Sequence, residues 1–322
     1  MDLSGKVVTV IGGTGFVGRY VVHEAAKAGA TVEVVSRNPR AGGFLRTAGV
    51  VGQIVPAGYN PLDSASVRNA IARAHIVVSL AGILAESGKN TFDAIHHQLP
   101  RMIAEHAADI GVERLVHLSA IGARADSASG YARSKAAGEK AVLNAYPEAT
   151  ILRPSIIFGP EDQFFNRFAS MAKIAPALPL IGGGQTRFQP VYVGDVADAV
   201  MAAIEKTAAK GQTYELGGPR IYTFKELMQH MLEVTGQKAG LVPIPWGIAE
   251  LQGRIFERLP GKMITRDQVE LLKSDNIVGP QAQRLQDLDI EPTAVEIITP
   301  TYLERFRSGG RFADMQKPRT KP

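Results

Sequence analysis

Val7-Val8-Thr9-Val10-Ile11, then Gly12-Gly13-Thr14-Gly15-Phe16-Val17-Gly18, then an apolar-periodic run from Tyr20 to Ala28 stand in that order near the start of the chain. A β-branched apolar strand, a glycine-rich turn and a helix are the physical recipe for a dinucleotide pyrophosphate site. The strand aims the turn, the glycines let backbone approach the phosphates, and the helix N-terminus presents free N–H groups at the positive end of its dipole. Gly12, Thr14, Gly15, Phe16 and Val17 are the residues of this turn expected to line a nucleotide. The competing reading is a glycine turn that serves only tight strand–helix packing. A position between a buried-type strand and a helix favours the nucleotide.

Outward from this unit, strand-like and helix-like segments alternate. Strands are predicted at Thr31–Val35, Val51–Pro56, Ile76–Leu80, Val112–Ser119 and Thr150–Arg153. Helices are predicted at Ser64–Ala74, Thr91–Ile110 and Ser129–Ala145, with a kink or break at Pro100. Such alternation implies βαβ crossovers and an α/β fold built on a doubly wound parallel Rossmann sheet. Beyond about residue 160 the regularity weakens. Helices are expected at Phe164–Ile174, Asp195–Lys206, Phe224–Val234, Ile248–Leu259 and Arg266–Lys273, and strands at Phe188–Val193 and Thr213–Leu216. Pro176 to Gly184 reads as a Pro/Gly-rich connection. The domain plan is a dinucleotide-binding core over residues 1–160, with 186–216 returning to the sheet. A smaller C-terminal α/β lobe, residues 161–185 and 217–300, should cover the carboxyl edge of the sheet, where ligands of such sheets bind. A basic tail follows over 301–322.

Composition narrows the function classes. The chain has 322 residues, 45% hydrophobic and 21% charged, enough to bury a full core. No apolar run approaches the roughly 18 residues of a membrane span. Strand one begins within a few residues of the start, so no signal or transit peptide is expected, as in a bacterial protein or a mature organellar form. The absence of cysteine excludes disulfides, iron–sulfur ligation and thiol catalysis. The seven histidines are scattered; His96 and His97, being adjacent, point to different sides of a helix, and no metal site is expected. Net charge is +5, and the tail holds six basic residues against two acidic ones, so the rest of the chain is nearly neutral. That argues against nucleic acid as a partner. The tail suits an acidic protein surface or anionic lipid, or is simply solvated.

Other residues carry chemistry. Strand two ends at Val34-Val35-Ser36-Arg37. An acidic residue there would hold an NAD ribose, whereas Arg37 suits the 2′-phosphate of NADP(H); an exposed arginine without a ligand is the plain alternative. Glu33 lies within the strand, short of its end. Leu80-Ala81-Gly82 after strand four lets backbone approach the adenine-side ribose, although such a tripeptide is often only a turn. Ser119 ends strand five, and Tyr131-Ala132-Arg133-Ser134-Lys135 follows. Tyr131 and Lys135 share a helix face. A lysine ammonium beside a tyrosine lowers the hydroxyl's pKa, so Tyr131 could act as general acid or base while Ser119 holds a substrate carbonyl. The alternative is an ordinary surface pair.

These residues resemble the short-chain dehydrogenase/reductase superfamily, in its extended and atypical branches, over roughly residues 1–300. Gly12, Gly15 and Gly18, the set Ser119/Tyr131/Lys135, and Leu152-Arg153-Pro154-Ser155 carry the likeness. The resemblance implies that residues near Pro154 to Ile157 line the nicotinamide. Asn60 stands where many extended members bind adenine with Asp, and it keeps hydrogen-bonding capacity. A narrower series runs through Tyr131–Lys140, Pro147-Glu148-Ala149, Ile156–Asp162, Phe164–Met171 and Gln189–Val196. It looks like the SDR-like accessory subunit of respiratory complex I, the NADH:ubiquinone oxidoreductase. Phe168-Ala169-Ser170-Met171 and Gln189-Pro190-Val191-Tyr192-Val193 are not demanded by hydride chemistry, so they separate this subgroup from sugar-nucleotide epimerases. The resemblance implies an NADP(H)-holding subunit, weakly catalytic or not at all. Its partners would be hydrophilic-arm and membrane-proximal subunits of complex I, and its place peripheral, on the cytoplasmic face of a bacterial inner membrane or the matrix side. The other reading is a free-standing NADP-dependent reductase or sugar-nucleotide epimerase/dehydratase that uses Ser119, Tyr131 and Lys135.

Overall fold

The computed structural model describes residues 2–256, 265–307 and 310. In chain order the elements begin β1 Val7–Ile11, α1 Phe16–Lys27, β2 Thr31–Ser36, β3 Ile54–Gly58, α2 Ser64–Ile71 and β4 Ile76–Ser79. They continue α3 Leu99–Ile110, β5 Arg114–Leu118, α4 Gly130–Ala145, β6 Thr150–Pro154, β7 Ile157–Phe158, α5 Phe165–Ala172 and β8 Ala177–Ile181. Then come β9 Arg187–Phe188, β10 Val191–Tyr192, α6 Val193–Glu205, β11 Thr213–Leu216, β12 Tyr222–Thr223 and α7 Phe224–Thr235. The described set ends with β13 Gly240–Ile244, α8 Trp246–Phe256, α9 Arg266–Leu271 and α10 Val295–Leu303. No described helix is long and apolar enough to cross a membrane.

Two compact units divide the chain. The first holds Met1–Pro154, Val193–Leu216 and Val278–Glu291. Its seven-stranded parallel sheet runs β3-β2-β1-β4-β5-β6-β11, a doubly wound order that reverses at β1 and β4. Ile11, Val35, Val77, Leu115 and Ile151 on one face pack against Val67, Ile71, Leu99, Ile103 and Val142 from α2, α3 and α4. Val8, Val10, Val32 and Val34, of opposite parity, are also fully buried, and α1 packs with α6. Strands buried on both faces need near-continuous apolar residues, and these have them.

The second unit holds Ser155–Tyr192, Gly217–Ile277 and Pro292–Pro322. Its core joins Phe158, Phe165, Leu178, Phe188, Phe224, Leu227, Met231 and Leu303. Phe164 sits 5.1 Å from Phe165 and 5.5 Å from Phe168 in edge-on geometry, the arrangement aromatic quadrupoles favour. Tyr302 donates to buried Asp162 at 2.6 Å, which ties α10 to the start of α5.

Several sequence expectations need correction. α1 starts at Phe16 and not Tyr20, because the glycine turn closes early: Gly15 N–H bonds Gly12 O at 2.9 Å. β3 starts at Ile54, since Gly52 at φ +83° turns the chain and leaves Val50 and Val51 exposed. The break expected at Pro100 falls earlier. A π-helical turn, Asp93–Gln98, runs into α3, and Pro100 sits in the first turn of α3, where its missing N–H matters little. The connection 176–184 contains a strand, β8, whose Leu178 and Leu180 are buried and which pairs in parallel with β13. The single strand expected at Phe188–Val193 is split into β9 and β10 at Gln189-Pro190, as a proline without an N–H would require. The end of the helix expected at Ile248–Leu259, and most of the basic tail, lie outside the described residues.

Candidate functional site

The nucleotide turn is shaped by close backbone approach. Gly12 has φ +86°, a left-handed conformation that favours glycine, and a Cβ there would meet Ala81 N at 3.2 Å. A Cβ on Gly18 would stand 2.6 Å from Gly13 Cα, so α1 can cross the turn only without one. Gly15 caps α1 with no side-chain hydrogen bond, and the first turn carries no acidic residue. The helix end is thus left open to an anion. Thr14 packs against the site of a Cβ on Gly42, at 3.2 Å, and Phe16 and Val17 are half-buried at the start of α1.

At the end of β2, Ser36 is buried and its Oγ has no hydrogen-bond partner. Arg37, the next residue, is exposed and makes no ion pair among the described residues. Its charge reaches Tyr59, where it opposes the burial that pushes that phenol up to about 12. Glu33 is engaged elsewhere: it accepts from Thr9 Oγ1 at 3.2 Å and pairs with Arg73. Asn60 is exposed, and its Oδ1 already accepts Leu62 N–H at 3.1 Å, which leaves its amide nitrogen as the available donor.

Leu80, Ala81 and Gly82 continue from β4, with Leu80 N–H held by Ile11 O at 2.9 Å. The position of a Cβ on Gly82 lies 3.7 Å from both Lys135 Nζ and His96 Nε2. The structure therefore brings the glycine turn, the 80–82 turn and Lys135 into one continuous row. Lys135 is buried and donates to Leu118 O at 3.2 Å, one residue before Ser119. Burial pushes its pKa down to about 8, with the charge of Glu139 opposing. Ser119 is buried with an unpartnered Oγ. Tyr131 and Lys135 lie on α4, whose start is capped by Ser129 Oγ accepting from Ala132 N–H at 3.2 Å. Arg153 binds Glu139 through two bonds of 2.9 and 2.6 Å, which fixes the far side of α4 against β6.

Pro154 and Ile157 fall on opposite sides of the division between units. Pro154 ends β6 and its carbonyl accepts Ile121 N–H at 3.0 Å, whereas Ile157 pairs with Val191 in the second unit.

Three polar residues were not assigned a role from sequence. Ser36 was legible only as a strand end. His117 on β5 contacts Ser79 Oγ at 3.3 Å and leaves Nε2 buried and unpartnered. His96 touches Ile83 N–H and Ser134. Burial, then the charge of Lys135, holds both histidines down at about 3. The adjacency of His96 and His97, which puts one of them inward, was the available signal.

The residues present fit a dinucleotide on this structure's own terms. The glycines leave room for phosphate, the helix end is uncapped, and two buried hydroxyls, Ser36 and Ser119, lack partners that a ligand would supply. Tyr131 and Lys135 on one face can hold a ribose or move a proton.

The NAD dependent epimerase/dehydratase family matches residues 8–217. The Arabidopsis thaliana protein "NADH dehydrogenase [ubiquinone] 1 alpha subcomplex subunit 9, mitochondrial" is 38% identical, over 96% of this chain and 80% of its own. The Mus musculus protein of the same name is 34% identical over 100% of this chain and 85% of its own. Among solved structures, UDP-glucose 4-epimerase with UDP-glucose from Thermotoga maritima aligns with a TM-score of 0.70 at 19% identity, covering 93% of this chain and 98% of that one; it shares the fold.

Proposed function

The chain belongs to the NAD dependent epimerase/dehydratase family and to the narrower family of the subunit 9 proteins, and from that membership we propose that it is an NADP(H)-holding accessory subunit of respiratory complex I. The observation that supports a place in complex I is the end-to-end match to subunits of NADH dehydrogenase. Gly12, Thr14, Gly15, Phe16 and Val17 would hold the pyrophosphate, and Leu80, Ala81, Gly82 and Asn60 the adenosine side. Ser119, Tyr131, Lys135 and Pro154 would face the nicotinamide side. When bound, the nicotinamide supplies hydride-transfer chemistry; the proposed role needs only its binding. Among the described residues, Ser36 Oγ is buried without a hydrogen-bond partner and the exposed Arg37 guanidinium beside it makes no ion pair; together they favour a 2′-phosphate and hence NADP(H).

Partners are subunits of the hydrophilic arm and of the membrane-proximal region, with anionic lipid reached by the basic tail. The protein would sit peripherally, on the cytoplasmic face of a bacterial inner membrane or the matrix side of an organelle. The test is to purify complex I from the source with and without this gene and to record the native mass of the protein itself. NADPH retained in the mass, together with loss of complex I stability when the gene is removed, is expected. Unchanged assembly and subunit content would overturn the subunit role.

A second reading is favoured by one feature, the unpartnered Ser119 Oγ near Lys135. A substrate carbonyl would accept its proton-sharing bond while Tyr131 exchanges a proton with the substrate oxygen. Turnover of NADPH with a panel of carbonyls and sugar nucleotides, lost on Tyr131→Phe, would establish that reading over the first.

A further inference from the structure

We propose that His96 is a positioning residue, a neutral imidazole carrying its proton on Nδ1, that pins the Leu80–Ile83 turn to the face of α4 bearing Tyr131 and Lys135. The inference rests on reading that turn as part of the nucleotide site. Ile83 N–H points at His96 Nε2 at 3.0 Å. A backbone N–H can only donate, so Nε2 must accept and carries no proton. On the other side of the ring, Ser134 Oγ donates to Tyr131 O at 2.8 Å. That oxygen lies 3.0 Å from His96 Nδ1 and is left to accept, so Nδ1 carries the hydrogen. The Ile83 bond fixes the tautomer of the neutral ring, and the Ser134 contact agrees with it.

Local structure holds the ring in place. The π-helical turn Asp93–Gln98 turns His96 inward to 1% exposure while His97 faces outward and bonds Asp93 at 2.8 Å. The His96 ring stacks on Phe92 at 5.4 Å and meets Tyr131 edge-on at 5.1 Å. α4 approaches this turn at Gly138, where a Cβ would collide with His96 O. The titratable groups facing the ring are Tyr131 and Lys135 from α4 and His117 from β5; both Lys135 and His117 disfavour a charged His96. A cation at His96 would also lose the Ile83 bond. The chain of contacts Ile83–His96–Ser134–Tyr131 therefore links the turn that abuts Gly12 with the Tyr131/Lys135 helix face.

The experiment uses the full chain, 15N-labelled. The imidazole signal lost in His96→Gln should report a neutral ring protonated on Nδ1 from about pH 8 down to about pH 5, well below the ordinary histidine midpoint. A ring protonated on Nε2, or one that titrates near 6.5, overturns the inference. Exchange of the Ile83 amide should be slow in wild type and in His96→Gln, whose Oε1 can accept the same bond, and fast in His96→Leu. NADPH titration should give a Kd about tenfold weaker for His96→Leu and within about threefold for His96→Gln, the value of one buried hydrogen bond. Equal exchange or equal binding in the Leu and Gln variants overturns it. If wild type takes up no NADPH, the proposed function fails, while the tautomer and the Ile83 exchange still decide the role of His96.

Discussion

At the end of β2, among the described residues, a buried hydroxyl without a hydrogen-bond partner stands beside an exposed arginine without an ion pair, and no acid of the strand competes, because Glu33 is paired with Arg73. Arg37→Ala should therefore weaken NADPH by about 10- to 100-fold, the range for losing a charge-assisted bond, and leave NADH within about threefold. Fluorescence titration of both nucleotides measures this; equal losses would mean that Arg37 does not read the 2′-phosphate. Gly18 gives a second test. A Cβ there would fall 2.6 Å from Gly13 Cα, backbone against backbone, so Gly18→Ala should abolish nucleotide binding and cost about 1–3 kcal/mol in urea unfolding. The glycines, Arg37, Tyr131 and Lys135 were legible because spacing alone places them on a turn or a helix face. Ser36, His96 and His117 were not: Ser36 stands out only by its burial, and the histidines by partners outside their own elements, Ser79 for His117 and Ile83 and Ser134 for His96.

Elements were legible where period and punctuation agree, as in β1, β4 and α4, and failed where one residue's geometry overrode the pattern. Gly52 delayed β3, Pro190 cut a strand in two, and β8 hid in a Pro/Gly-rich stretch because its pairing with β13 is made about 60 residues away in sequence. The π-helical turn before α3 has no sequence period of its own, yet it aims His96 at α4. The π-helical turn, β5 and α4 carry the buried groups His96, His117 and Lys135, with a measurable consequence. His96 and His117 sit at about 3 in the fold, whereas the unfolded chain takes up protons below about 6.5. Stability should be steady near neutrality and fall as pH drops below about 6.5, by up to about 1.4 kcal/mol per pH unit for each histidine. Lys135 acts in the alkaline range: the fold has released its proton above about 8 while the unfolded chain holds it to about 10.4, so its contribution becomes more favourable across that window. Urea unfolding at pH 7.5, 6.0 and 5.0 measures the acid limb, and a flat profile would contradict the buried, neutral placement of the two rings.

On the scale of the whole molecule, two cores divide the work. Phe164–Met171 and Gln189–Tyr192 lie in the second unit, where Phe164, Phe165, Phe168, Ala169, Met171 and Tyr192 belong to its apolar core. Their meaning is packing: Phe165, fully buried, should cost about 3–5 kcal/mol on truncation to Ala. The nucleotide, by contrast, would act on stability through linkage. At a concentration of 100 times its dissociation constant, NADPH should raise the unfolding free energy of the wild type by about 2.7 kcal/mol. If Arg37→Ala weakens binding about 30-fold, the same concentration is only about three times the new constant, and the gain falls to about 0.9 kcal/mol. Tyr131→Phe keeps the ring and removes only the hydroxyl, so as a holding site the protein should retain most of the gain. Thermal melts of the three proteins with and without NADPH separate the roles. A gain preserved in Tyr131→Phe and cut to about a third in Arg37→Ala marks a nucleotide that holds the protein together; a gain of equal size in wild type and Arg37→Ala would mean that the stabilisation does not come through the 2′-phosphate.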